Sequence, residues 1–193
     1  MSEFIKILSS VEKLILDLAK IEDNNNKSKI WSEHITKVVF YSKKLANDLG
    51  ADVQVCTLAA WLHDISKIEG TKKDHHIIGA NRAKEILTKL NYDVSKIKLV
   101  QDAILTHSSD DNYPPVSLEQ KIVACADALA WLDDFLLFVH GIHFIKGLSK
   151  EEAISILKKK MLKAKNKTDI LPKAKELAEP KLKAINFLLD LND

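Results

Sequence analysis

The chain has 193 residues, 46% of them hydrophobic, and its 29 lysines and arginines against 27 aspartates and glutamates leave a net charge of +2. Such a composition can bury a sizeable core and excludes global disorder, while five glycines and four prolines exclude a collagen-like chain or a linker-rich array. The near balance of charge gives no reason to expect a nucleic-acid polymer or an anionic membrane as partner, and no apolar stretch is long enough for a membrane span. Arg82 is the sole arginine, so lysine must meet most anions. Residues 1–20 mix Glu3, Lys6, Glu12, Lys13 and Asp17 into an apolar pattern, unlike a signal peptide. Two cysteines, Cys56 and Cys125, form no spaced metal motif and suit a reducing compartment. The expectation is a cytoplasmic protein forming one domain over residues 1–193.

The apolar spacing is helical nearly throughout. Phe4, Leu8, Val11, Leu14, Ile15 and Leu18 recur at three and four residues, predicting a first helix over 3–21 that Asn24-Asn25-Asn26 breaks. A second helix is expected from about Ser28 to a stop at Gly50, and Asp52 is placed to cap a third carrying Leu58, Leu62 and His63. Asp74 is placed to cap a fourth, running to Asn91, and Val94–Thr106 reads as a fifth. Ser108–Val116, with Pro114-Pro115, reads as a loop. Ser117 with Gln120 and Ser149 with Glu152 have capping-box spacing, and Pro172 suits a last helix start, with Pro180 expected to kink or split that helix. The fold class is all-α, with a core over about 28–130 and further helices over about 149–190.

Seven histidines are present, and placement distinguishes three of them. His34 lies four residues from both Ile30 and Val38 on an inward stripe, His63 ends the run Leu58–Leu62 with Asp64 next, and His107 continues the stripe of Val100 and Ile104. Asp127 sits in the otherwise uncharged run 122–130. Burying such a carboxylate is costly unless it is paired, hydrogen-bonded or coordinated. One divalent cation would satisfy three imidazoles and two carboxylates together, and mixed nitrogen and oxygen donors suit Mn, Fe, Co, Ni or Zn. A set of unrelated buried His–Asp pairs is the competing reading.

The string Leu62-His63-Asp64-Ile65-Ser66-Lys67, with His34 upstream and Asp127 downstream, resembles the HD domain of metal-dependent phosphohydrolases. Asp74–Ala80 and Ala103–Ser108 also resemble segments of small bacterial and archaeal members, so an HD-type helical bundle with extra C-terminal helices is expected. The resemblance implies that His34, His63, Asp64 and Asp127 bind one divalent ion (Mn, Mg, Co, Ni, Fe or Zn). His75 and His107 match positions that bind a second ion in dinuclear members, with Asp64 as bridge. Lys67 matches a lysine placed to meet a substrate phosphate, and His107 is a candidate proton donor where it binds no metal. The implied catalytic residues are Asp64, Lys67 and His107. The implied activity is hydrolysis, by a metal-activated water, of a small-molecule substrate, a nucleotide or related phosphoester or pyrophosphate; homo-oligomerisation is left open. Cys125 and Ala128 stand where an acid and an arginine are frequent, which bears on substrate identity. Asn112-Tyr113-Pro114 does not complete a Gly-Tyr-Pro motif, so cyclic-dinucleotide cleavage is unsupported.

A di-iron oxygenase of the same fold and a catalytically silent metal-binding regulatory module are the alternatives. Elsewhere, Trp31 and Trp61 are expected to pack, Cys125 to be a small buried hydrophobe, and His76, His140 and His143 to play no part. Asp133-Asp134 reads either as a solvated pair or as acids supporting the ligands. The lysine-rich run 146–183 reads as the wet face of amphipathic helices.

Overall fold

A computed structural model describes residues 3–25, 30–108, 110, 112–140 and 147–189. They form ten helices, with no strand among the described residues: α1 (Glu3–Asn25), α2 (Ile30–Leu49), α3 (Val53–Leu62), α4 (Ile65–Ile68), α5 (His75–Lys89), α6 (Val94–Leu105), α7 (Leu118–Asp133), α8 (Phe135–His140), α9 (Lys150–Thr168) and α10 (Pro172–Leu188). The architecture is the all-α HD-type bundle expected from the sequence.

Two helices lie at the centre because they are apolar nearly all round. Every residue of α3 from Val55 to Leu62 is buried, as is every residue of α7 from Ile122 to Leu132 except Asp127. A helix without a polar face has no solvent side, so others must enclose it. Accordingly α2, α3, α6, α9 and α10 all pack on α7, and α1, α2 and α6 pack on α3. The buried spine of α1 is Ile7, Val11, Ile15 and Ala19, with Phe4, Leu8, Leu14 and Leu18 half-buried on its flanks.

Local chemistry sets the helix ends. Asp52 accepts hydrogen bonds from the amides of Gln54 and Val55, and both expected capping boxes, Ser117 with Gln120 and Ser149 with Glu152, are formed. Gly50 supplies the left-handed turn after α2 at φ +72°. Three boundaries differ from expectation. The first helix runs through Asn25, and Asn26 lies outside the described residues. Asp74 precedes α5 but caps it with no side-chain bond: it is left-handed (φ 51°), and its carbonyl instead accepts from the amides of Ile77 and Ile78. Pro180 does not split α10, which continues to Leu188.

The α5–α6 packing brings Gly79 against the corner after α3. A Cβ built there would meet the His63 carbonyl oxygen at 3.5 Å and Ile104 Cγ2 at 3.7 Å, ordinary van der Waals separations. Glycine inside a helix costs about 0.8–1 kcal/mol relative to alanine. Gly79→Ala is therefore expected to stabilise the chain by about 0.5 kcal/mol, raising the melting temperature by about 1–2 °C. A fall in the melting temperature would show that the corner tolerates no added methyl group.

Candidate metal centre

The candidate ligands converge because helix breaks and inward stripes aim them at one point. His34 lies on α2 and Asp127 on α7. His63 and Asp64 occupy the corner between α3 and α4, where the helix stops after Leu62 and restarts at Ile65, so two adjacent side chains enter the same site. His75 opens α5, and His107 follows the end of α6. The hydroxyl of Ser66 donates to the carbonyls of Thr71 (3.2 Å) and His75 (3.0 Å), tying the α4–α5 connection and its histidine to the corner.

All six residues are brought together. His34 Nε2 lies 3.3 Å from Asp127 Oδ1, and His63 Nε2 lies 3.9 Å from the same oxygen and 3.5 Å from Asp64 Oδ2. Asp64 Oδ1 is 3.4 Å from His107 Nε2 and 3.8 Å from His75 Nε2. Two overlapping groups could each hold a cation, His34–His63–Asp127 and His63–Asp64–His107, with His63 common to both. His75 reaches Asp64 but completes neither group.

The donor atoms fit a cation on two further grounds. The buried atoms His63 Nε2 and Asp64 Oδ1 have no hydrogen-bond partner; Lys67 lies 2.8 Å from Oδ1 but directs its hydrogen bond to Oδ2 at 3.0 Å. Buried polar atoms left unpaired are costly, and a bound ion removes that cost. Moreover, Nδ1 of His63 lies 2.7 Å from the Ala60 carbonyl and Nδ1 of His107 2.6 Å from that of Ile104. A carbonyl only accepts, so each Nδ1 carries the proton and each Nε2 turns a lone pair to the centre.

The electrostatics are those of a site built for positive charge. Burial lowers the pKa of His34, but hydrogen bonds with Asp127 and Asp134 outweigh it and raise the value to about 9. Burial depresses His63 to about 4, with His107 adding to the effect against the opposing charge of Asp64. Burial, reinforced by Lys67, lowers His75 to about 3. Burial works against the charged forms of Asp64 and Asp127, yet Lys67 and Lys167 respectively, with the neighbouring imidazoles, hold both well below the usual carboxylate range.

Further residues contribute, and among these Lys167 was not apparent in the sequence. Asp134 is 1% exposed and is an acid supporting a ligand, not a solvated one: its Oδ2 lies 3.2 Å from His34 Nδ1 while its Oδ1 pairs with Lys37. Asp133 instead accepts from the Tyr41 hydroxyl at 2.5 Å and pairs with Lys181. Lys167, in the last turn of α9, donates to Asp127 Oδ2 at 2.7 Å. Its carbonyl accepts at 3.1 Å from the thiol of Cys125, which is buried as expected and pushed up to about 12 by that burial. The centre opens into a cavity of about 490 Å³ whose wall includes Trp31, Trp131, Phe138 and three lysines of α9. Trp31 thus faces the cavity as well as packing, and part of the supposed wet face of α9 turns inward. His76 lies beside the site, its Nε2 3.2 Å from Asp110 Oδ2, while His143 lies outside the described residues.

Fold and site together define an all-α protein with a His/Asp centre suited to a divalent cation. Residues 31–132 match the HD domain, and the chain belongs to that family. It is 32% identical over 103 residues to ribonuclease Y of Cutibacterium acnes, covering 51% of this chain and 17% of that protein. It is 29% identical over 120 residues to a tRNA (cytidine(56)-2'-O)-methyltransferase of Picrophilus torridus, covering 57% and 34% respectively. The chain therefore spans about a third or less of the length of these relatives. Its fold matches the crystal structure of a predicted HD superfamily hydrolase from an uncultured Thermotogales bacterium, with TM-score 0.64, 21% identity, and 94% and 88% of the two chains covered. Among the described residues, no helix is long and apolar enough to cross a membrane.

Proposed function

We propose that this chain is a single-domain cytoplasmic hydrolase that cleaves a small phosphoester or pyrophosphate, a nucleotide or a relative of one, with water activated at a divalent cation. His34, His63, Asp64 and Asp127 would hold the first ion; His75 and His107, with Asp64 as bridge, would hold a second where one binds. The observation that carries the reading is the pair of overlapping His/Asp groups that share His63, whose buried Nε2 has no hydrogen-bond partner, beside a lysine-walled cavity lined by His34, Asp64, His107 and Asp127. A cation so placed lowers the pKa of its water toward neutrality and polarises a phosphoryl oxygen.

The chain's own residues would do the rest. Asp134 and the Ala60 and Ile104 carbonyls hold three imidazoles in orientation. Lys67, now on Asp64, is within reach of an incoming phosphate and would balance its charge. His107 is the candidate to protonate the leaving group where it binds no metal, once its Nε2 has taken up a proton. The lysine wall favours an anionic substrate over the alternative of oxygen chemistry at a di-iron centre.

The test is to strip the purified protein, restore Mn, Mg, Co, Ni, Fe or Zn in turn, and follow phosphate and pyrophosphate release separately from a panel of nucleotides and phosphomonoesters. Metal-dependent release is expected, and the product identifies the bond broken. Lys67→Ala is expected to lower kcat/KM by about tenfold to a hundredfold through loss of a charge-assisted contact. Tight metal binding without release would favour a regulatory module, oxygen consumption with iron would favour the oxygenase, and absence of bound metal would leave the histidines as packing residues.

A further inference from the structure

The cavity above the centre is charged beyond what one phosphate requires. Five lysines line it, Lys67, Lys72, Lys160, Lys163 and Lys167, against two carboxylates, Asp64 and Asp127. Lys67 and Lys167 lie deep and each is engaged with one carboxylate. Lys72, Lys160 and Lys163 are exposed at the mouth, and neither Lys72 nor Lys163 has an ion pair among the described residues. A phosphomonoester dianion at the floor meets the two deep lysines and a cation, and it leaves the mouth with an uncompensated positive field.

The α9 lysines form a column. Spacings of three and four put Lys160, Lys163 and Lys167 on one helix face, fixed because Ala153, Leu157, Ala164 and Thr168 bury the neighbouring face against the bundle. Seven residues of helix extend the column about 10 Å from the Asp127 contact toward the mouth. That is longer than one phosphoryl group. Phe138 stands beside the outer end, 5.1 Å from Lys160 Nζ.

We infer that the Lys160–Lys163–Lys167 column, with Lys72 of the same cavity wall, binds a second anionic group, so that the ligand is a small molecule carrying at least two phosphoryl groups, one over the His/Asp centre and one at the mouth. The inference rests on the proposed hydrolysis for the role of the inner phosphate, but the column itself can be tested without turnover.

Metal-free protein is titrated calorimetrically with orthophosphate and with tripolyphosphate, for wild type, Lys160→Gln/Lys163→Gln and Lys158→Gln/Lys159→Gln. The last variant removes equal charge from lysines outside the cavity wall. Tripolyphosphate is expected to bind at least about tenfold tighter than orthophosphate, with that margin lost in the cavity variant and kept within about twofold in the other. Equal affinities, or equal losses in the two variants, would overturn the column. With Mn restored, kcat/KM for adenosine 3′,5′-bisphosphate or ADP over that for AMP is expected to fall about tenfold or more in the cavity variant. Tripolyphosphate binding that depends on the column, with no turnover of any phosphoester, would uphold the polyanion site and overturn the hydrolysis. A 5′-phosphorylated oligonucleotide binding more tightly than tripolyphosphate, and lost in the same variant, would overturn the small-molecule assignment in favour of a nucleic-acid end.

Discussion

Asp64→Ala is expected to abolish metal-dependent turnover, a loss of about a thousandfold or more, because nucleophile activation and charge neutralisation are withdrawn together. Asp64 is 4% exposed and faces three of the candidate imidazoles, His63, His75 and His107, as well as Lys67. The fold should survive. In the metal-free protein the substitution removes the contacts of the carboxylate with Lys67 and the imidazoles together with its desolvation cost, two opposing effects, and Lys67, whose side chain is 27% exposed, can turn to water. The melting temperature without metal is thus expected to stay within about 2 °C of wild type. With metal at a hundredfold excess over its dissociation constant, wild type gains about 2.7 kcal/mol. That corresponds to about 5–10 °C for a chain of this size, and the variant should gain none. Metal titration followed by thermal melting and by activity checks both halves; a variant that keeps metal-dependent turnover would remove Asp64 from the centre.

The parts of this site legible in the sequence share one property: their chemistry conflicts with their surroundings. A histidine on an apolar helix stripe, or a carboxylate inside the run 122–130, must have a reason to be buried, and that reason is visible without coordinates. Helix boundaries were legible where a side chain or a glycine sets them locally, as at Asp52, Ser117, Ser149 and Gly50. Asp74 shows the limit: position and residue type suit a cap, but backbone conformation decides whether the side chain can reach, and φ 51° prevents it here. Lys167, Lys160 and Lys163 were hidden for the opposite reason. Lysines on a polar helix face look solvated, and only the packing of α9 on α7 reveals that this face borders a cavity. Their three- and four-residue spacing was the available signal, but without a partner surface it distinguishes nothing. Support of the ligands was one reading of Asp133-Asp134, but two adjacent acids do not tell which is 1% exposed and beside His34 and which meets Tyr41 and Lys181.

Asp134→Ala is expected to weaken metal binding by about tenfold to a hundredfold and to lower kcat/KM in parallel, although the residue is not itself a candidate ligand. Its Oδ2 is the partner of His34 Nδ1, which leaves Nε2 of the same ring aimed at Asp127 and the centre. Truncation frees the ring to rotate and leaves a buried Nδ1 unpaired. It also releases Lys37, whose side chain is 34% exposed and can hydrate, so the stability loss is set mainly by the imidazole and should be about 1–3 kcal/mol. Asp134→Asn separates orientation from charge. Its amide oxygen can still accept from the Nδ1 proton, so it should recover much of the metal affinity while failing to hold Lys37. Cobalt titration offers the decisive readout, since the absorption of the bound ion reports the donor geometry as well as the affinity. An altered spectrum in Asp134→Ala that returns toward wild type in Asp134→Asn would identify Asp134 as the residue that aims His34. Unchanged spectra and affinities in both variants, with only the melting temperature lowered, would reduce Asp134 to a buried ion pair holding α2 to the end of α7.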